Sequence, residues 1–387
     1  MPKEPDMQRH AAFFHQQGLQ TPCLLIDLDI VAARFRELAD AMPSAGIYYA
    51  VKAQPHPAVL EVLAGLGSSF DVASRAELDL CLALGVPPER ISFGTTIKLE
   101  EDIAYANRRG VGLFAFDSEC ELAKIARAAP GAAVLCRILA DSAGASAQWP
   151  LSRKFGCSPD MAADLLCAAR SEGLEPRGVS FHPGSQQREP TAWQGGCEQA
   201  ANIFRLLSKK GVALSLLNLG GGLPARYDAG IPAIGEYAKA IEAAVQEAFG
   251  WPVPRIVEPG RFIAGDAGVL RSRVVTISRK SYDDPLRWVY VDAGRFAGLA
   301  ETEGEAIRYP ITTEPVRCGR AGRVVLAGRS CDSVDIIQEQ AALYLPETLQ
   351  VGDYVDFGAA GAYTDVYAAA GFNGFPPPQV HSFGGRK

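Results

Sequence analysis

Lys52 stands in YYAVKAQP as the only charge of an otherwise apolar stretch. A lysine at the end of a buried strand is costly to desolvate, unless its stem carries the ammonium out to water. It can also lose its charge chemically, by forming an imine with an aldehyde. Two glycine-rich turns add an anion site. Gly220–Gly222 lets backbone N–H groups come close to a ligand, and Gly260–Arg261 ends in a guanidinium that can bind two oxygens at once. Ser185 in HPGS adds a hydroxyl, although a glycine run alone is also an ordinary turn. Glu258 in VEPGR could pair with Arg261. It could instead face a pyridine nitrogen and keep it protonated, so that the ring draws electrons from a carbanion. His182 could stack on such a ring or be a buried structural histidine. An aldehyde-trapping lysine, a phosphate cradle and a pyridinium carboxylate together describe pyridoxal 5′-phosphate.

Eight short apolar runs must position these groups: IYYAVKA (47–53), SSFDVAS (68–74), RISFGTT (90–96), VGLFAFDS (111–118), AAVLCRIL (132–139), RGVSFHPGS (177–185), LSLLNLGGG (214–222) and PRIVEPGR (254–261). Between them lie segments with apolar residues at three- and four-residue spacing, many ending in glycine, the pattern of helices. The alternation predicts parallel βαβ units, and eight of them in roughly 215 residues suit a closed (β/α)8 barrel. An open doubly wound sheet is the competing arrangement. Lys52, Asp71, Thr95, Asp117, Arg137, His182, Gly220–Gly222 and Glu258 with Arg261 fall at strand tips, which a barrel gathers at one mouth. After residue 265 the β-branched, alternating segments predict an antiparallel β domain. The expected division is an N-terminal segment, 1–25, packed on that β domain, a barrel over 26–265 and the β domain over 266–387. TPCLLIDLDIVAARF (21–35) reads as a strand and a helix that could join either part.

Composition narrows the function class. The chain has 387 residues, 48% hydrophobic and 21% charged, with formal net charge −6. That excludes a disordered or collagen-like chain and argues against a nucleic-acid-binding surface. Nine scattered cysteines without a CxxC pair, an odd count and a charged start (MPKEPDMQRH) predict reduced thiols in the cytoplasm. No apolar run reaches the roughly 20 residues of a membrane span. The five dispersed histidines give no zinc spacing, so no metal is expected.

YYAVKAQP, GSSFDVAS, FHPGSQ, LGGGLP, EPGR, CDSVD, GAYT and FNGF, in that order over nearly the whole chain, resemble the motif series of the ornithine/diaminopimelate/arginine decarboxylase family, which has the alanine-racemase-like fold. The likeness is strongest to short bacterial ornithine decarboxylases, including WPLSRKFGC (149–157) and FNGFPP (372–377). The resemblance implies decarboxylation with Lys52 bound to pyridoxal phosphate and Glu258 at the pyridine nitrogen. His182 would stack on the ring, with Asp71 and Arg137 near the imine. Ser185, Gly221, Gly222, Gly260, Arg261 and Tyr363 would hold the phosphate. Cys331 would return the proton to Cα, and Asp332 would bind substrate beside it. Both would come from the second subunit of a homodimer. Phe372 would lie near the substrate.

Diaminopimelate decarboxylases carry glutamate where this chain has Asp332, so a substrate ending in an amine is implied, such as ornithine (giving putrescine), lysine or 2,4-diaminobutyrate. Three departures count against a simple transfer. Gly304 stands where the short enzymes place a second aspartate, leaving Glu303 or Glu305 to compensate. Pro183 replaces an aliphatic residue, and Arg329 stands near a usual proline. Arg329 brings positive charge toward the substrate end, which keeps open a decarboxylase for a modified or acidic amino acid. A racemase and an inactive regulatory homologue are the alternatives from other classes.

Overall fold

The computed structural model describes residues 7–140, 147–149, 154–316 and 319–385; Cys318 and residues 150–153 of the WPLSRKFGC stretch lie outside the described residues. The chain divides into two compact units: Arg34–Pro224 with Pro232–Phe262, and Met1–Ala33 with Ala225–Ile231 and Ile263–Lys387. The segment 21–35, left open by sequence, gives strand β1 (Cys23–Asp27) and helix α2 (Leu28–Ala41). β1 belongs to the second unit because it pairs there with two strands of the β sheet.

In the first unit all eight apolar runs form strands: β2 (Ala45–Ala50), β3 (Ser69–Val72), β4 (Ile91–Phe93), β5 (Leu113–Phe116), β6 (Ala133–Arg137), β8 (Glu175–Ser180), β10 (Leu216–Asn218) and β11 (Arg255–Val257). They close into a barrel, with β11 pairing β2 in parallel. Phe70, Phe93, Phe114 and Phe116 are fully buried on these strands. A separate short pair, β7 (Ala147–Trp149) with β9 (Ser185–Gln187), is antiparallel. Helices α3 (Pro57–Gly65), α4 (Arg75–Ala83), α5 (Glu100–Arg108), α6 (Glu119–Ala128), α7 (Pro159–Ser171), α8 (Gln194–Lys209) and α9 (Ile234–Phe249) alternate with the strands. Ser74, Ser118 and Ser158 open three of them, each side chain accepting the third helical amide at 3.3 Å. Each such cap is worth about 1 kcal/mol. Phe204 meets Phe249 edge-on at 5.2 Å, locking α8 to α9.

In the second unit β12 (Gly268–Ser278), β13 (Arg287–Val291), β14 (Ile311–Glu314), β15 (Ala321–Gly328), β16 (Ile336–Pro346), β17 (Tyr354–Phe357) and β18 (Gln379–Phe383) join β1 in one sheet of eight strands. It is mostly antiparallel, but β13–β15 and β1–β18 run parallel. The domain is antiparallel in the main, as expected, and the parallel β13–β15 pair is joined by a long crossover that carries β14 and a 3₁₀ turn over Ala300–Glu305. On helix α1 (Met7–Gln17), Phe14 packs with Cys23, Leu25 and Val269 and lies 4.2 Å from the Arg271 guanidinium. Arg271 in turn holds Asp356 by two hydrogen bonds of 2.8 and 2.7 Å.

Candidate active site

Strand β2 ends at Ala50, and its amide donates to the carbonyl of Pro259 at 3.0 Å, tying the Lys52 strand to the EPGR turn. Lys52 itself leaves the strand on a single 3₁₀ turn, Val51–Ala53, in which its neighbours are buried and the lysine is exposed. The lysine that burial does claim is Lys98, whose Nζ meets Glu121 Oε1 at 2.9 Å and donates to the carbonyls of Thr95 (2.7 Å) and Ala115 (2.6 Å). With two carbonyls and a carboxylate around its ammonium, Lys98 is a staple of the β4 loop. Asp117 has a similar task, accepting from the Thr96 hydroxyl at 2.8 Å and the Gly156 amide at 2.7 Å.

Asp71 faces inward from β3, in register with Ala50. Its Oδ1 accepts from Ser92 Oγ at 3.0 Å, and a Cβ at Gly94 would fall 2.0 Å from the same oxygen. Burial, and then the neighbouring Glu258, push the Asp71 carboxyl well above the usual carboxylate range; Lys52 and Ser92 oppose them. Glu77 accepts the Ala73 amide at 2.7 Å; burial raises its pKa, and the Lys52 charge opposes that rise. Arg137 closes β6 with its guanidinium 5.1 Å from the Phe155 ring. Burial lowers its pKa against the pull of Glu258, Asp117 and Asp71.

His182 follows β8. Its Nδ1 accepts from the Gly184 amide at 3.1 Å, so a neutral ring carries its proton on Nε2. Burial first, then the cations Arg137 and Lys52, hold its pKa well below the ordinary histidine value. Glu258 does not take the simple pairing with Arg261. Its Oε1 accepts from Asn218 Nδ2 at 2.5 Å, whereas Arg261, itself buried, donates from Nη2 to Ser185 Oγ at 3.4 Å. Gly260 is buried in the same turn. The glycine run leaves no room for side chains. A Cβ on Gly221 would lie 2.7 Å from the Glu258 carbonyl oxygen and 3.0 Å from His182 Nε2; one on Gly222 would lie 2.5 Å from the Gly184 carbonyl oxygen. A guanidinium, a hydroxyl and bare backbone suit a phosphate, and a carboxylate near an exposed lysine and a neutral imidazole suits a protonated pyridine carrying an aldehyde. The donor set fits the cofactor.

The second unit brings its own candidates together. The Cys331 amide donates to Asn373 Oδ1 at 2.7 Å, tying the CDS turn to FNGF. Cys331 is exposed, and Asp332 Oδ1 accepts from the Val334 amide at 3.0 Å. Phe372 packs on Phe296 at 4.4 Å, Tyr363 lies 5.6 Å from Tyr367, and Arg329 lies 4.0 Å from the centre of the Phe375 ring. Glu305 departs from its expected substrate contact. Its carboxylate accepts the amides of Glu339, Gln340 and Ala341 at 2.8, 2.5 and 2.9 Å. Although burial acts against them, these bonds hold its pKa below the ordinary value. Glu303 is largely exposed and pairs with Arg295 at 3.3 Å. Asn218, Ser92 and Glu77 escaped the sequence reading. Only Asn218 carried a signal, as the polar end of an apolar strand before the glycine run.

Residues 28–265 match the family model described as "Pyridoxal-dependent decarboxylase, pyridoxal binding domain". The chain is 33% identical over 371 residues to the chloroplastic ornithine decarboxylase of Nicotiana glauca, covering 93% of this chain and 83% of that one. It is 32% identical over 367 residues to the lysine/ornithine decarboxylase of Selenomonas ruminantium, covering 92% and 88%. The lysine/ornithine decarboxylase of Vibrio vulnificus, crystallised with cadaverine, superposes with a TM-score of 0.87 at 30% identity, over 99% of this chain and 100% of that one.

Proposed function

Because the chain belongs to the pyridoxal-dependent decarboxylase family, we propose that it removes the α-carboxylate of a basic L-amino acid with pyridoxal 5′-phosphate, ornithine first, then lysine or 2,4-diaminobutyrate. The observation that carries this reading is the convergence of Lys52, Asp71, Arg137, His182, Glu258 and the Arg261–Ser185 pair on strand ends of one closed barrel.

In this reading Arg261, Ser185, Gly221, Gly222 and Gly260 hold the phosphate. Lys52 binds the aldehyde carbon. Glu258 holds a proton at the ring nitrogen, and neutral His182 packs on the ring without adding a competing charge. Asp71 and Arg137 set the charge around the Lys52 amine. The bound cofactor supplies an electron-accepting pyridinium that stabilises the carbanion left when CO2 departs. Cys331 holds the proton returned to Cα, Asp332 pairs with the distal ammonium, and Phe372 lines the substrate's apolar stem. Cys331 and Asp332 come from a second copy in a two-fold homodimer. With Glu305 occupied by backbone amides, the distal amine depends on Asp332. Among the described residues no helix is long and apolar enough to cross a membrane. The eight described cysteines are free, which supports a cytoplasmic location.

Release of CO2 from L-ornithine, L-lysine, 2,4-diaminobutyrate, L-arginine and diaminopimelate tests the reading. Turnover of a diamino acid, with a visible cofactor band bleached by borohydride, is expected. Inversion of the α-carbon without CO2 would replace it with a racemase.

A further inference from the structure

Asn218 closes β10, is buried, and uses both ends of its side chain. Its Oδ1 accepts the Gly220 amide at 2.9 Å, and its Nδ2 donates to Glu258 Oε1 at 2.5 Å. The Gly220 N–H can only donate, so it fixes which end of the amide is oxygen. The other end must then be the NH2 group, which presents only protons to Glu258. The backbone reinforces the same point: the Asn218 carbonyl accepts the Phe181 amide at 3.1 Å, and the Gly220 carbonyl accepts the Glu258 amide at 2.8 Å. The Asn218 side chain therefore couples the glycine cradle to the carboxylate, and its backbone ties both to the strand leading to His182.

We infer that Asn218 is the positioning residue that fixes the orientation of the Glu258 carboxylate toward the cofactor's ring nitrogen while capping the phosphate-binding turn. This rests on the reading that Glu258 serves that nitrogen. A hydrogen bond to one carboxylate oxygen restricts the group's rotation, so the other oxygen meets the ring nitrogen from a fixed direction. A cap alone would need only the oxygen.

Asn218→Ser separates the two roles. A serine hydroxyl can still accept the Gly220 amide, as in a serine turn, but is too short to reach Glu258. The test measures binding of pyridoxal 5′-phosphate and of its 1-deaza analogue, which lacks the ring nitrogen, to the apoprotein by fluorescence, with kcat at saturating pyridoxal phosphate. The wild-type protein is expected to prefer the natural cofactor. Asn218→Ser should lose that preference roughly tenfold while binding the deaza analogue as wild type does, and kcat should fall about ten- to hundredfold. Glu258→Gln should erase the same preference. A wild-type protein that binds both molecules equally would overturn the role of Glu258. Discrimination present in wild type, lost in Glu258→Gln and retained in Asn218→Ser would overturn the role of Asn218 alone. Equal weakening of both ligands in Asn218→Ser would make Asn218 only a turn cap.

Discussion

Replacing Glu305 by alanine separates a structural carboxylate from a substrate-binding one. The substitution removes three amide-to-carboxylate hydrogen bonds that pin the bulged stretch Glu339–Ala341 of β16. A buried hydrogen bond to an ionised carboxylate is worth about 1.5–3 kcal/mol, but Glu339 and Gln340 are exposed, so water replaces most of the loss. The expected net cost is about 1–2 kcal/mol, or a fall in Tm of roughly 2–8 °C for a domain of this size. The sign with pH follows from the lowered pKa of Glu305. A carboxylate held below its unfolded value stabilises the protein above pH ~4.3 and loses that contribution as pH falls through the folded pKa. The gap between wild type and Glu305→Ala should therefore be full at pH 7 and shrink in acid. Glu303→Ala, which loses one exposed ion pair, should change Tm by less than about 1 °C. Thermal unfolding of the apoprotein followed by circular dichroism gives both numbers, and decarboxylation of ornithine and lysine gives the specificity ratio. That ratio should stay within about twofold of wild type. An unchanged Tm together with an altered ornithine-to-lysine preference would refute the reasoning and return Glu305 to the substrate.

Lys52→Ala should abolish turnover and the borohydride-sensitive visible band; a band of undiminished intensity would remove Lys52 from its role. Asp71→Asn should lower activity yet stabilise the apoprotein above pH ~4, because a carboxyl whose folded pKa is raised opposes folding once it ionises. Equal thermal stability of the two proteins at pH 7 would contradict this. Mixing inactive Lys52→Ala with inactive Cys331→Ala should restore activity, since random exchange leaves about a quarter of all sites intact if each site is shared between copies. Tag-purified mixed dimers with no activity would show that Cys331 does not act across subunits.

Much of the barrel was legible because its information is local. Each strand is a short apolar run, each helix repeats at helical spacing, and the polar residue at a strand end marks the mouth whatever the neighbours are. The motif order carried the family for a similar reason, since the glycine run and EPGR each specify backbone geometry within a few residues. What sequence could not supply were contacts between residues distant along the chain. Lys98, in a polar stretch, is a buried cation paired with Glu121 from helix α6, a partner that no local pattern announces. Glu305 was a substrate candidate by proximity to Gly304 until the amides of β16 claimed its carboxylate. Glu258 has Arg261 only three residues away, but the closed barrel brings it Asn218 from forty positions earlier. A side chain's partner is chosen by which strands lie adjacent, and strand adjacency exists only once the sheet has closed.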